Sequence, residues 1–246
     1  MTVIDRAARA MGVLGAVLLM ATMALGLLVV PADRYQGDAQ RLLYPHVAAA
    51  WTAYLCFGLV ALGSLGYLIT RSLRWDRLAV ASAEVGVGLT ALTLVLGSLW
   101  AKPVWGTYWT WDPRLVTTAV LLLVYLGYLG IRDLSGDLAV NARRAAVLGL
   151  LALVTVPVVH FSTVWWRTLH QPPGVLRPGG PQGSMPTEML AMLLLAVVAF
   201  TLSALGVIHA RTRLLEDRQR TRSAAEDTPP PVTRVEARAT TLGGPR

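Results

Sequence analysis

The run Trp100–Arg114, WAKPVWGTYWTWDPR, decides how the rest of the chain is read. It holds four of the eight tryptophans, Trp100, Trp105, Trp109 and Trp111, together with Lys102, Tyr108, Asp112 and Arg114. Long apolar segments flank it on both sides. A loop joining two membrane helices needs turn residues and charge, not four indoles. A flat apolar ligand lying on those rings would account for them.

Outward from this stretch the chain is a membrane protein. Of its 246 residues 54% are hydrophobic and 15% charged, and the mean hydropathy is +0.54. A bilayer core of about 30 Å takes roughly 20 apolar helical residues to cross, because a lone helix satisfies its own backbone there. Six windows qualify: Met11 to Pro31, Val47 to Thr70, Leu78 to Trp100, Leu115 to Ile131, Ala145 to Trp166 and Met189 to Ala210. None alternates with the period of a barrel strand. The expected fold is an all-α integral membrane protein with six transmembrane helices and the tryptophan-rich loop between helices 3 and 4.

Positive charge sets the orientation. The two short loops carrying Arg71, Arg74, Arg77 and Arg132, Arg143, Arg144 are placed inside, with both termini cytoplasmic. The tryptophan loop then faces outward, as do the loops after the first and fifth helices. This divides the chain into a cytoplasmic tail (1–10), a six-helix domain (11–210) and a basic C-terminal tail (211–246). Within that tail RTRLLEDRQR reads as a helical extension, and composition points to disorder from Thr221. The Pro- and Gly-rich loop from Gln171 to Pro186 reads as mobile.

Several functions are excluded. The net charge of +8 is a topology signal and an attraction to anionic membrane lipid, and no nucleic-acid module accompanies it. The single cysteine, Cys56, gives no disulfide, redox pair or haem-attachment motif. No phosphate-binding GxxxxGK[ST] loop occurs, so any ATP dependence would come from a partner. The first helix is read as retained rather than as a signal peptide.

The polar residues within this apolar chain are few. Gly58, Gly63, Gly66, Gly86 and Gly88 read as close-packing positions. Glu84 lies near the cytoplasmic end of helix 3, within reach of interfacial water, Arg71 or Arg77. Pro157 can kink helix 5 close to His160, which is read as a packing residue. His209 reads as an interfacial histidine at the inner end of helix 6. His46 and His170 fall at the outer boundary on different helices. Neutral imidazole suits iron, and two such rings can take opposite faces of a porphyrin. The cations Lys102, Arg114, Arg41 and Arg167 would suit its propionates. A membrane-interface belt explains Trp165 and Trp166, but explains the four tryptophans of one loop poorly.

At this point the residues resemble a known family. WGTYWTWDPRL (Trp105 to Leu115) is similar to the tryptophan-rich WWD motif of haem-handling proteins in cytochrome c maturation. Together with YPHVAAAW (Tyr44 to Trp51), GSLWAKP (from Gly97) and HFSTVWWRTLHQ (His160 to Gln171), it resembles the CcmC, or haem exporter protein C, family. The resemblance implies haem b, bound non-covalently and in transit, with His46 and His170 as axial ligands. Trp105, Trp109, Trp111 and Asp112 would form its platform, beside Trp100, Lys102 and Arg114. It further implies an inner-membrane subunit without enzymatic activity. Such a subunit works beside an ABC-type complex of an ATPase, a second membrane subunit and a small single-helix protein (CcmA, CcmB, CcmD), and presents haem to the chaperone CcmE.

Two other classes remain to be weighed. A cytochrome b subunit stacking two haems would want four histidines buried on facing helices, and this chain has one clearly intramembrane. A permease would need a polar path, for which Glu84 and His160 are the obvious candidates. The larger haem-synthetase branch sharing the WWD loop would carry more helices.

Overall fold

The computed structural model describes residues 3–134, 136–171 and 185–226. Within them the chain forms α1 (Val3–Leu28), α2 (Leu43–Thr70), α3 (Leu73–Trp105), α4 (Pro113–Gly130), α5 (Leu138–Ala152), α6 (Thr155–Trp165) and α7 (Thr187–Glu226). Short 3-10 turns precede α2 and follow α4. Six segments are long and apolar enough to cross a membrane, α5 and α6 together making the fifth. The chain is an all-α membrane protein, as its hydropathy requires.

Helix ends depart from the apolar windows for physical reasons. α1 starts at Val3, inside the stretch read as an N-terminal tail, with Asp5 in its first turn, where a carboxylate complements the helix dipole. α3 runs past Trp100 to Trp105, and Pro103 interrupts only one backbone bond so close to its end. Gly106, at φ +79°, supplies the left-handed residue that stops it. Half of the supposed tryptophan loop is therefore helix. The fifth span breaks at Leu153 and Val154, four residues before Pro157, whose ring opposes the Leu153 carbonyl. That carbonyl accepts instead from Val156 N–H at 3.1 Å.

At its other end α7 continues to Glu226, so the disorder expected from Thr221 is corrected for residues 221–226. The Arg220–Glu216 ion pair and the Thr221 Oγ1 bond to the Asp217 carbonyl support this extension. The rest of that tail, and most of the loop read as mobile, lie outside the described residues.

The bundle is organised on the α2–α3 hairpin, turned at Arg71, whose φ is +58°. Gly63 and Gly66 meet Trp75, and Gly86 meets the rings and side chains of Phe57 and Cys56, so the two helices approach closely. Gly58 and Gly88, by contrast, face open space. Phe57 then stacks on Tyr125 of α4 at 3.7 Å between ring centroids. α1 lies along α7, with Gly12 against Gly206.

Two ends result. At one, His46, His170 and the tryptophan segment converge. At the other, Glu84 accepts from Nε and Nη2 of Arg211, at 2.6 and 2.7 Å, and not from Arg71 or Arg77. Sequence proximity suggested the wrong arginines because α7 returns to that place only in three dimensions. His209 lies 3.2 Å from Asp5, and Arg77 donates to Gln219 at 2.8 Å.

A double-mutant cycle on Glu84→Gln and Arg211→Ala, read from thermal unfolding in detergent, should give a coupling of about 1 kcal/mol. The corresponding cycle with Arg77→Ala should give none. Coupling to Arg77 instead of Arg211 would refute this pairing.

Candidate functional site

The site is assembled from three connecting regions at one end of the bundle. The first lies between α1 and α2. Asp33 accepts the N–H groups of Tyr35 and Gln36, both at 2.8 Å, which holds its carboxyl below the usual carboxylate range. The turn presents Gln36 Oε1 to the indole Nε1–H of Trp100 at 2.9 Å. Trp100 is thereby fixed on α3 with its ring 5.9 Å from that of His46, nearly edge-on at 74°.

His46 sits in the first turn of α2, after Pro45, whose missing N–H costs nothing there. Its Nδ1 lies 3.0 Å from the Thr93 carbonyl of α3. His170 Nδ1 lies 2.9 Å from the Gln171 carbonyl. A carbonyl only accepts, so each Nδ1 carries the hydrogen and each Nε2 keeps its lone pair. That is the state in which an imidazole binds a metal, with its other nitrogen oriented by a backbone oxygen. Burial keeps the His170 imidazole below the ordinary histidine value of 6.5. The Gln171 bond and Asp112 pull the other way, and Arg114 adds to the lowering. The two rings stand 6.3 Å apart between centroids, inclined at 34°.

Asp112 organises the His170 side. Its carboxylate caps α4 by accepting Arg114 N–H at 2.9 Å. The same group accepts Thr168 Oγ1 at 2.7 Å and Leu169 N–H at 2.7 Å, across 56 residues of sequence in the first case. Thr168 Oγ1 in turn accepts His170 N–H at 3.0 Å. Asp112 is buried and meets its bonding needs within the protein, so it acts on the loop that carries His170. Arg114 makes a second tie between the same parts, donating from Nη1 to the carbonyls of Val159 and His160 at 2.7 and 3.0 Å. It is turned into the bundle. Lys102 likewise donates to the Gly106 carbonyl at 3.0 Å and lies 5.3 Å from the Tyr108 ring, closing the end of α3.

The tryptophans do not form one flat plate. Trp109 and Trp111 are perpendicular, at 88° and 6.0 Å, and Trp111 is 84% exposed. Trp105 is half-buried on the last turn of α3. A cleft of about 690 Å³ beside His170 is lined by Trp111, Asp112, Trp166 and Arg167 among others, a volume typical of ligand sites. His160 lies apart from this cluster, edge-on to Tyr54 at 6.3 Å, in agreement with a packing role. Sequence reasoning missed Thr93, Gln36 and Thr168. The hydroxyl two residues before His170 was the one visible hint.

A family model described as "Heme exporter protein C" matches residues 1–226. A curated "Heme exporter protein C" from Bradyrhizobium diazoefficiens is 39% identical over 204 residues, 82% of this chain and 77% of the relative. One from Haemophilus influenzae is 33% identical over 198 residues, 80% of each chain. A "Putative cytochrome c biosynthesis ccmC-like mitochondrial protein" of Marchantia polymorpha is 35% identical over 176 residues, covering 72% of this chain and 73% of the relative.

If Asp112 holds the His170 loop, Asp112→Asn should loosen it. The amide has a single acceptor oxygen, so its nitrogen would face either the Leu169 N–H or the Arg114 N–H, donor against donor, and the link between the two would be lost. Loss of a cap and its cross-bonds costs about 1 kcal/mol. Hydrogen exchange should therefore speed up about fivefold at Leu169 and His170 and at the start of α4, with the far end of the bundle unchanged. Exchange rates equal to wild type at both Leu169 and Arg114 would contradict the role given to Asp112.

Proposed function

Since the chain belongs to the haem exporter protein C family, we propose that it binds haem b non-covalently at the tryptophan end of the bundle, with His46 and His170 as axial ligands. The single observation that carries this reading is the pair of imidazoles, each with its Nδ1–H engaged and its Nε2 lone pair free, 6.3 Å apart. Two metal–nitrogen bonds of about 2 Å and two ring half-widths of about 1 Å sum to that separation. Among the described residues no three His, Cys, Asp or Glu side chains cluster as a bare metal ion would require. A porphyrin iron brings four nitrogens of its own and needs only two more, so the donor set fits haem.

The chain's own residues would do four things. His46 and His170 hold the iron, and the Thr93 and Gln171 carbonyls fix their tautomers. Asp112, through Thr168, sets the position of the His170 segment. Trp111 and Trp166 give the cleft apolar walls, and Arg167 puts a cation at its margin for an anionic propionate. The basic inner loops orient this end toward the outer side of the cytoplasmic membrane. Presentation to the chaperone CcmE follows, beside an ATPase, a second membrane subunit and a small single-helix protein (CcmA, CcmB, CcmD). The chain is a binding and delivery subunit rather than an enzyme.

The protein purified in detergent should carry haem with a bis-imidazole absorption spectrum. His46→Ala and His170→Ala should each lose about tenfold in retained haem, with partial recovery in exogenous imidazole. Full haem content and an unchanged spectrum in both variants would reject the ligand assignment.

Protonation competes with iron for the same lone pair. With the His170 pKa held below the ordinary histidine value of 6.5, acid loss of the bis-imidazole spectrum should come at lower pH than for haem with free imidazole in the same detergent. Loss at the same pH or higher would show that His170 lacks the environment described.

A further inference from the structure

α3 presents Thr93, Gly97 and Trp100 on one face, at the i, i+4, i+7 spacing of a helical stripe, and the His46 ring lies against all three. We infer that Gly97 is a positioning residue for His46: the missing side chain at this one place lets the imidazole lie flat enough on α3 to reach the Thr93 carbonyl. The inference rests on the reading of His46 as an iron ligand, and adds the residue that orients it.

The argument is steric. A Cβ at Gly97 would stand 2.9 Å from His46 Cε1 and 3.4 Å from Nδ1. Neither side can easily give. The ring is tethered by its 3.0 Å bond to Thr93 and flanked by Trp100, itself bonded to Gln36. Behind it the α2 backbone is fixed by fully buried Ala48 and Ala49 and by Tyr44, whose hydroxyl accepts from Gln40. A methyl group at 97 would therefore turn the ring and break the Nδ1 bond that leaves Nε2 free. The Thr93 carbonyl suits the task because, in a helix, it already faces the N–H of residue 97 and keeps a second lone pair. Tautomer and ring rotation are thus set by one turn of α3.

The His46 tautomer and the dependence of the effect on His46 separate this from a merely structural role, since alanine is otherwise well suited to the interior of α3. Gly97→Ala should give a protein that still folds and inserts yet retains about tenfold less haem, with loss of the bis-imidazole spectrum. Gly88→Ala, on the same helix with open space beside it, should leave both unchanged. In a His46→Ala background Gly97→Ala should cause no further loss. In haem-free protein, ring-nitrogen NMR should show His46 as the Nδ1–H tautomer in wild type and a mixture in Gly97→Ala. Retention of that tautomer and of normal haem in Gly97→Ala, while His46→Ala loses haem, would overturn this inference and leave the ligand assignment standing. Unchanged haem in His46→Ala would overturn both.

Discussion

A buried carboxylate must have its lone pairs filled, and at Asp112 they are filled from two parts of the chain that no local structure joins. Its bonds to Arg114 N–H, Thr168 Oγ1 and Leu169 N–H make the start of α4 and the segment beyond α6 one unit. The sequence Asp112-Pro113-Arg114 is compact because each residue has a separate task in that unit. Asp112 caps, Pro113 occupies the first helical position where no N–H is needed, and Arg114 reaches across to the carbonyls of α6. Without this unit His170 would hang from the end of an eleven-residue helix with little else to fix it.

What the sequence made legible follows from how far each signal averages. Hydropathy sums over twenty residues, so the six spans and the convergence of three connections at one end could be read directly. Helix ends are decided by single residues and their tertiary partners. Val3, Trp105 and Glu226 therefore lay beyond the windows: Asp5 is engaged by α7, Gly106 and not Pro103 stops α3, and α7 carries its own ion pairs.

The candidate site divides in the same way. That His46 and His170 meet was legible, because both sit at one end of an even number of spans. The run of indoles was visible in the composition, but composition says nothing of ring orientation, and Trp109 stands perpendicular to Trp111 while Trp100 lies edge-on to His46. Lys102 and Arg114 read as outward cations suited to propionates because a charge in an outer loop carries no mark of its partner. In the structure both donate to backbone carbonyls. Glu84 failed similarly: its partner, Arg211, is 127 residues away.

The two imidazoles end up held by unlike means, and this difference would bear on the haem proposed to lie between them. His46 is fixed by α3 itself, through a carbonyl and the bare face of Gly97, so its ring turns only by giving up that bond within a close helix contact. His170 is placed by its N–H bond to the Thr168 hydroxyl, which is itself held with Leu169 by the Asp112 carboxylate in a partly exposed segment, and such bonds can be exchanged for water one at a time. Repacking a helix interface is far costlier than swapping a hydrogen bond, since interiors transmit strain and buried glycine contacts leave no slack. The protein therefore has a rigid side and a yielding side facing each other across 6.3 Å. A ligand held between them would be anchored by helix packing on one face and by the bonds of a single carboxylate on the other.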